Sequence, residues 1–442
     1  MPVPPSAETT AVLHVEPSLK MISQVEWDAC ANPGWQLGKS GPERISPDTS
    51  ESKSEAFEST HQEDESKQQV SPYNPFISHD FLLSLEDSGS ANTKTGWAGR
   101  HLVLKGAGGS PIGIVPCYMK PHSQGEYVFD WGWADAFERA GGDYYPKLQV
   151  SVPFTPATGR RLLVAADAPP LTRETLISGL EALTRQTGAS SAHATFLDDA
   201  DASAFAEAGW LQRTDQQFHW HNRGYRDFDD FLDVFASRKR KQIRRERREA
   251  LASGIEIRHV TGSAITEADW DAFFAFYMDT GSRKWGRPYL NRRFFSLLGE
   301  RMAASVLLVF AYRAGRPIAG ALNLIGSDTL YGRYWGAIEE HPFLHFEVCY
   351  HQAVDFALAK GLKRVEAGAQ GEHKLARGYE PVTTRSAHLI ADPRLRAAVA
   401  HHLAHERAQV AAMHEALSEA APFRRNLNVA EDSGSDDGED AP

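Results

Sequence analysis

Two stretches of this chain repeat the same order of predicted elements, and this repetition constrains the fold more than any other feature. Residues 101–105 and 109–116 form an apolar run, a glycine-containing turn and a second apolar run, and residues 306–312 and 315–322 do the same in the second half. Two such runs around a short glycine turn are typical of a β-hairpin. Their recurrence indicates a duplicated structural unit.

The elements that follow each hairpin also correspond. Each half continues with a helix-like segment, a short apolar strand and a small-residue turn before a last strand. The matching segments are 171–186 and 347–360, then 191–197 and 364–367, then 208–210 and 377–379. This order predicts an α/β fold of two tandem lobes, each a mixed, twisted sheet flanked by helices.

Length and composition suggest the boundaries of these lobes. A chain of 442 residues with 42% hydrophobic residues can build two cores. Two stretches rich in Ser, Glu and Asp bury too little apolar surface to offset their ordering entropy. We predict an N-terminal segment of the first lobe (1–35), a disordered insertion (36–72), the first lobe (73–235), the second lobe with the catalytic site (236–394), a C-terminal helix (395–425) and a disordered acidic tail (426–442).

Charge and cysteine content exclude several classes of protein. A net charge of −11 argues against a DNA-binding protein, and no apolar run reaches the ~18–20 residues needed to span a bilayer. Three singly scattered cysteines support no disulfide framework, which favours a cytoplasmic protein. Neither His341 with His345 nor His401 with His405 matches a zinc motif, so we predict no metal.

Seven short blocks, in order along the chain, carry a family resemblance. They are 74–82 (NPFISHDFL), 122–131 (HSQGEYVFDW), 144–148 (YYPKL), 152–156 (VPFTP), 333–336 (RYWG), 343–347 (FLHFE) and 366–374 (EAGAQGEHK). In these blocks the chain resembles the FemAB-like, peptidoglycan-biosynthesis-related N-acyltransferases of the GCN5-related N-acetyltransferase (GNAT) superfamily. The resemblance implies two tandem GNAT-like lobes and an acyl- or aminoacyl-transfer reaction, and it supplies no substrate.

The polar block at residues 366–374 is the candidate catalytic segment. N-acyl transfer needs a base that takes the proton of the attacking amine and donors that stabilise the developing oxyanion. Glu366, Glu372 and His373 are the candidate bases, and Lys374 with the N–H groups of the turn is the candidate oxyanion stabiliser. The alternative interpretation is a solvated loop.

The start of the second lobe's long helix is the candidate donor site, because backbone N–H groups there can accept a pyrophosphate. The usual coenzyme A loop reads Gln/Arg-x-x-Gly-x-Gly/Ala, and Ile338 breaks the nearest match at 333–338. That departure leaves aminoacyl-tRNA, as in Fem ligases, as an alternative to acyl-coenzyme A. The residues that we assign to the donor are Arg333, Trp335, His345, Glu347, Gly368, Gln370 and Gly371. Capping and packing roles for His345 and Glu347 are equally compatible with the sequence.

In the first lobe, charged side chains lie among aromatic ones, and we assign this region to the amine acceptor. Ligand pockets combine apolar walls with a few placed polar groups, although aromatic core packing predicts the same composition. The candidate residues are His122, Glu126, Asp130, Trp131, Tyr144, Tyr145 and Lys147. A basic run at 238–248 predicts a helix that either links the lobes or attracts phosphate groups.

From these features we expect a cytoplasmic N-acyltransferase that transfers an acyl group from acyl-coenzyme A to an amine by direct attack. One alternative is aminoacyl transfer from charged tRNA to a cell-wall-like precursor, which RNase would abolish. The other is a non-catalytic binding module with the same fold, which would bind a ligand without forming product. The sequence leaves the oligomeric state open.

Overall fold

The computed structural model describes residues 12–45, 71–284, 288–368 and 371–423, except for the side chains of residues 282–284 and 372. The predicted disordered tail (426–442) and residues 46–70 of the predicted insertion therefore lie outside the described residues.

The first half of the chain contains most of the strands. They are β1 (Leu13–Glu16), β2 (Trp35–Gly38), β3 (Gly41–Arg44), β4 (Ala98–Gly99), β5 (His101–Lys105), β6 (Pro111–Val115), β7 (Cys117–Lys120), β8 (Lys147–Val150), β9 (Leu163–Val164), β10 (Ser191–Leu197) and β11 (Leu211–His221). The helices of this half are α1 (Gln24–Ala31), α2 (His79–Asp87), α3 (Trp131–Arg139), α4 (Thr172–Thr187) and α5 (Asp199–Glu207). Residues 36–45, predicted to be disordered, instead contribute to the β2–β3 hairpin.

The second half contains longer strands and helices. Its helices are α6 (Phe228–Asp233), α7 (Ser237–Ala250), α8 (Glu267–Lys284), α9 (Arg292–Met302), α10 (Leu344–Phe346), α11 (Gln352–Ala359) and α12 (Pro393–Glu419). Its strands are β12 (Ile255–Thr261), β13 (Val306–Arg313), β14 (Arg316–Ile325), β15 (Thr329–Ala337), β16 (Arg364–Glu366) and β17 (Glu380–Ile390). A π-helical segment, Glu347–His351, joins α10 to α11. The helix predicted at 347–360 therefore begins three residues earlier and contains a π segment.

One sheet of 11 strands runs through both halves in the order β12-β13-β14-β15-β16-β11-β17-β10-β8-β7-β4. Within it, β8 pairs in parallel with β10 and β15 pairs in parallel with β16, while the other neighbouring strands are antiparallel. The first-half hairpin β5–β6 lies in a separate sheet of order β1-β5-β6-β9. The prediction of an α/β fold with a mixed sheet and flanking helices is confirmed, and strands of both halves join into one sheet.

The last strand of each half pairs with strands that come from the other half. Strand β17 pairs along its length with β11 and β10, both from the first half, with Gln217 opposite Val382 and Ala194 opposite Ala387. Strand β11 also pairs with β16 of the second half. We call this arrangement the strand exchange.

Apolar side chains of both halves pack into shared cores. Phe81 of α2 contacts Phe294 of α9 edge to face, with 5.9 Å between ring centroids, and both rings are buried. The basic run forms α7, whose ion pairs with other elements include Glu246 with Arg377 at 2.8 Å and Arg247 with Glu347 at 2.9 Å. In the described part of the chain, no helix is both long and apolar enough to cross a membrane.

Candidate active site

The parallel strands β15 and β16 separate after a short stretch of pairing. They pair only at Thr329–Tyr331 and Arg364–Glu366, and β15 then continues to Ala337. Gly332 follows the last pair, and a Cβ there would lie 3.4 Å from the carbonyl oxygen of Glu366. Ligands of α/β sheets bind beyond the carboxyl ends of parallel strands. The opening between β15 and β16 is therefore the candidate site.

Glu366 ends β16 at this opening and is 4% exposed. Its nearest cation is Arg364, whose Nε lies 3.8 Å from Oε1. Burial raises the pKa of Glu366 to about 7, against the opposing pull of Arg364. A carboxylate with such a pKa can exchange a proton near neutral pH.

His219 of β11 lies directly opposite Glu366 in the antiparallel register, so the two side chains share one face of the sheet. Its Nε2 donates to Oε1 of Gln217 at 3.2 Å, which leaves the lone pair on Nδ1. Nδ1 is buried and has no hydrogen-bond partner among the described residues. Burial holds the pKa of His219 well below its ordinary value, so the ring is neutral.

Lys374 lies in the 3-10 turn Glu372–Arg377 that follows β16. Its Nζ donates to the carbonyl oxygen of Gly368 at 2.9 Å and thereby closes the turn. Burial lowers the pKa of Lys374 to about 7. No hydrogen bond or ion pair of the described residues joins Lys374 to Glu366.

His373 marks the mouth of the site and is exposed. Its Nε2 lies 2.9 Å from the hydroxyl of Tyr350, which is carried by the π-helical segment. Gly371 has a φ of 114°, and a Cβ there would overlap the ring of His373. Gly368 also has a positive φ, 77°. The turn predicted from its glycines therefore needs them for backbone conformation and for this ring contact.

A cavity of ≈ 440 Å³ lies between the end of β15 and the start of α10. Trp335 and His345, both predicted to bind the donor, line it with their ring centroids 5.2 Å apart. Glu339 also lines it and pairs with Arg313 at 2.7 Å and with Arg316 at 3.1 Å. The cavity thus combines aromatic walls with a carboxylate that two guanidinium groups neutralise.

Two other residues predicted to bind the donor have different partners. Arg333 donates through Nη2 to the carbonyl oxygen of Phe154 at 2.7 Å, which ties the second half to the first. The buried carboxylate of Glu347 accepts from Arg247 and from Gln352, which anchors α7. Both side chains hold elements together around the opening.

Four residues predicted for the acceptor meet in one buried cluster, which we call the first-half ion cluster. The Nζ of Lys147 lies 2.6 Å from Asp130 and 3.4 Å from Glu126, and the Tyr144 hydroxyl donates to Asp130 at 2.8 Å. Lys120, which the sequence analysis missed, lies 3.4 Å from Glu126. Burial lowers the pKa of Lys120 to about 8.

Opposing effects act on Asp130 in this cluster. Burial raises its pKa, but Lys147, His193 and hydrogen bonds to the carboxylate together outweigh burial and hold the pKa below the ordinary 3.8. Because its Oδ2 accepts from both Lys147 and Tyr144, Asp130 is committed to the cluster rather than to the opening between the strands.

The remaining predicted acceptor residues surround Ser123. Trp131 is 51% exposed and donates through Nε1 to the Ser123 carbonyl, and the Tyr145 hydroxyl lies 2.9 Å from Ser123 Oγ. His122 is half-buried, and burial lowers its pKa. Gln370 and the side chain of Glu372 lie outside the described residues.

The sequence analysis also missed the aromatic contact between the halves. Phe154 stacks on Tyr289 with 4.8 Å between ring centroids, and Phe154 and Tyr127 both adopt a positive φ, 58° and 61°. Positive φ at bulky residues is strained and concentrates at functional sites.

The sequence analysis did not identify His219 either. A strand position such as His219 carries no motif, and only its pairing with Glu366 reveals it.

Among the residues that the structure describes, no group of three or more His, Cys, Asp or Glu side chains could hold a metal ion.

Comparison with known proteins gives a family match and distant structural similarity. The model of the FemAB-like family, described as peptidoglycan biosynthesis/recognition, matches residues 56–425. No curated protein matches the chain. Similar solved structures include L-PGS from Bacillus licheniformis (10% identity, 80% of this chain and 98% of that chain, TM-score 0.44) and FemX (11%, 73% and 93%, 0.45). A tandem GNAT protein from the clavulanic acid biosynthesis pathway is also similar (13%, 71% and 88%, 0.38).

Proposed function

The chain belongs to the FemAB-like family of peptidoglycan biosynthesis and recognition, and on this premise we propose that it transfers an acyl or aminoacyl group to an amine acceptor. Family membership supports such a transferase in a cell-wall-related process. The observation that carries the proposal is Glu366, a buried carboxylate with a pKa of about 7 at the opening between two parallel strands.

The reaction that we propose is direct attack. The amine nitrogen attacks the carbonyl carbon of the donor while Glu366 takes the amine proton, with the neutral His219 as a second candidate base on the same face. Protonated Lys374 stabilises the oxyanion of the tetrahedral intermediate. The bond from the carbonyl carbon to the leaving sulfur or oxygen then breaks, and the leaving group receives a proton. His373 at the mouth is the candidate group for that proton.

For the donor, we propose acyl-coenzyme A as the first candidate. Trp335 and His345 would hold its pantetheine arm in the ≈ 440 Å³ cavity, and Arg313 and Arg316, which pair with the cavity residue Glu339, would bind its phosphates. A ligand that binds only the native state raises its thermal stability. Titration with acetyl- and longer acyl-coenzyme A esters should therefore raise the melting temperature in proportion to occupancy. No shift at about millimolar ester would remove this donor.

A charged tRNA is the second candidate donor, and an observation on α7 favours it. Arg238, Lys241, Arg245 and Arg248 are all exposed and recur every three or four residues, so they form one face of the helix, which we call the basic stripe. Rows of basic side chains attract the phosphate backbone of nucleic acids. If tRNA is the donor, RNase abolishes product formation, whereas transfer from acyl-coenzyme A is indifferent to RNase.

For the acceptor, we propose the contact between the halves, near Tyr127, Tyr289 and the loop of Phe154. The carboxylate of Glu126, next in sequence to Tyr127, is 4% exposed and is held by the first-half ion cluster, with Lys120 and Lys147 each 3.4 Å away. The support for this location is the strained backbone of Tyr127 and Phe154, because positive φ at bulky residues concentrates at functional sites.

Substitution tests the proposed roles directly. Glu366→Gln or His373→Ala should lower turnover, with Glu256→Gln on the exposed face of β12 as the matched control. Unchanged turnover would remove that residue from the mechanism. Binding of a donor by the wild-type protein without any product would instead identify a non-catalytic binding module.

A further inference from the structure

The basic stripe of α7 has more positive charge than its surroundings neutralise. Arg245 lies 3.5 Å from Glu249, but Arg238, Lys241 and Arg248 have no ion pair among the described residues. Over ten residues the stripe is about 15 Å long. Exposed unpaired cations in a row repel one another and attract an extended anionic partner.

The start of α7 adds to this positive potential. Its N-cap residue is Ala236, which offers no side-chain hydrogen bond, and its first turn contains no acidic residue. The N–H groups at a helix start favour negative charge, yet the residues placed there are Arg238, Lys239 and Arg240. An anion near this end of α7 would satisfy both the helix start and the stripe.

The described part of the chain ends beside this helix start. The ring of Phe423 packs on that of Phe235 with 5.5 Å between centroids, and the N–H of Ala236 donates to the carbonyl of Pro422 at 3.4 Å. The chain that follows Phe423 therefore starts beside Phe235, which precedes Arg238 by three residues in the sequence. Its acidic residues are Glu431, Asp432, Asp436, Asp437, Glu439 and Asp440, which we call the acidic segment.

We propose that the acidic segment docks on the basic stripe of α7 in the same molecule. Glu431 lies eight residue steps beyond Phe423, and at ~3.3–3.6 Å per step this length of chain reaches about 26–29 Å, enough to cover the whole stripe. A short tether gives an effective concentration of about millimolar. The segment then competes with any polyanionic ligand for the stripe, which makes the access of such a ligand dependent on ionic strength.

Zero-length carbodiimide crosslinking of the full chain tests the contact, because it joins a lysine amine only to a carboxylate in direct contact. At low salt we expect a crosslink from Lys241 to the acidic segment, found by mass spectrometry. It should disappear in Lys241→Arg, which keeps the charge, and at about 0.5 M salt, where screening is strong. Absence of this crosslink in the wild-type chain at low salt would overturn the proposal.

A competition experiment measures the consequence with inorganic polyphosphate as the probe. Neutralising the six acids of the acidic segment to Asn or Gln should tighten polyphosphate binding about tenfold at low salt. The matched control neutralises six acids elsewhere, namely Glu51, Glu55, Glu58, Glu63, Asp64 and Glu65, and should leave the affinity unchanged. Equal tightening in both variants would indicate a net-charge effect and overturn docking, as would tightening in neither. Neither readout depends on catalysis, so the proposed transferase can fail while docking stands.

Discussion

Replacing Glu366 by glutamine tests whether burial sets the protonation of this carboxylate. The pKa rises from its ordinary 4.5 to about 7, and the side chain is 4% exposed. At about 1.4 kcal/mol for each unit of pKa, ionising Glu366 costs the folded protein about 3 kcal/mol. Because the folded-state pKa is raised, the stabilisation by the bound proton is complete below pH 4.5 and is lost as the pH rises through about 7.

Glutamine cannot ionise, so wild-type stability should fall by about 3 kcal/mol relative to Glu366→Gln between about pH 4.5 and pH 8. Urea unfolding, followed by tryptophan fluorescence at both pH values, gives the difference in unfolding free energy between wild type and Glu366→Gln at each pH. Glu256→Gln, at an exposed position, should show no pH-dependent difference. If the stability difference between wild type and Glu366→Gln is the same at both pH values, burial does not raise this pKa and the argument is refuted.

Three further substitutions test other parts of the structure. Lys374→Met should lower turnover about 10²-fold. Burial lowers the Lys374 pKa from 10.5 to about 7, so the cost of this lysine to stability grows as the pH falls from 10.5 and is complete below 7, and the variant's urea midpoint should rise at about pH 6. Gly336→Ala brings a Cβ against the carbonyl of Phe276, and chemical unfolding should show a loss of about 2 kcal/mol. Asp130→Asn leaves the buried Lys147 without its closest charged partner, and denaturation should show a loss of about 3–5 kcal/mol.

Each of these substitutions has a matched control. Lys360→Met changes an exposed lysine, Gly132→Ala adds a Cβ that meets no atom within 4 Å, and Asp135→Asn changes an exposed acid on α3. Retained turnover in Lys374→Met would exclude Lys374 from the reaction. Losses in Gly336→Ala or Asp130→Asn no larger than in their controls would show that the β15–α8 contact or the first-half ion cluster does not stabilise the fold as inferred.

The elements that sequence predicted are those that local pattern determines. The hairpin at 306–322 follows from two apolar runs around a glycine turn, and the structure forms it as β13 and β14. The strand exchange could not be predicted in this way, because periodicity identifies a strand without naming its neighbour. Strands β11 and β17 are both 11 residues long, and only tertiary packing decides that they pair with each other and with the opposite halves.

The same limit applies to the candidate site. Glu366 and Lys374 were predicted from a polar block after a short strand, and Asp130 with Lys147 from their aromatic surroundings. Sequence shows that a residue is charged but does not show its partner. Glu347 was therefore assigned to the donor, whereas its carboxylate pairs with Arg247 one hundred residues away. The catalytic and binding roles stay predictions until the substitutions above are measured.

The strand exchange also governs how this chain can be made in a cell. When β11 leaves the ribosome, the place between it and β10 stays empty until β17 has been synthesised, and at ~5–20 residues per second this takes about 10–30 s. During that time β10 lacks a partner along one edge and β11 lacks one along both edges, and these edges invite pairing with other nascent chains. Neither half can complete its part of the sheet alone, because each depends on a strand of the other half. The nascent first half should therefore depend on chaperones until translation reaches residue 390.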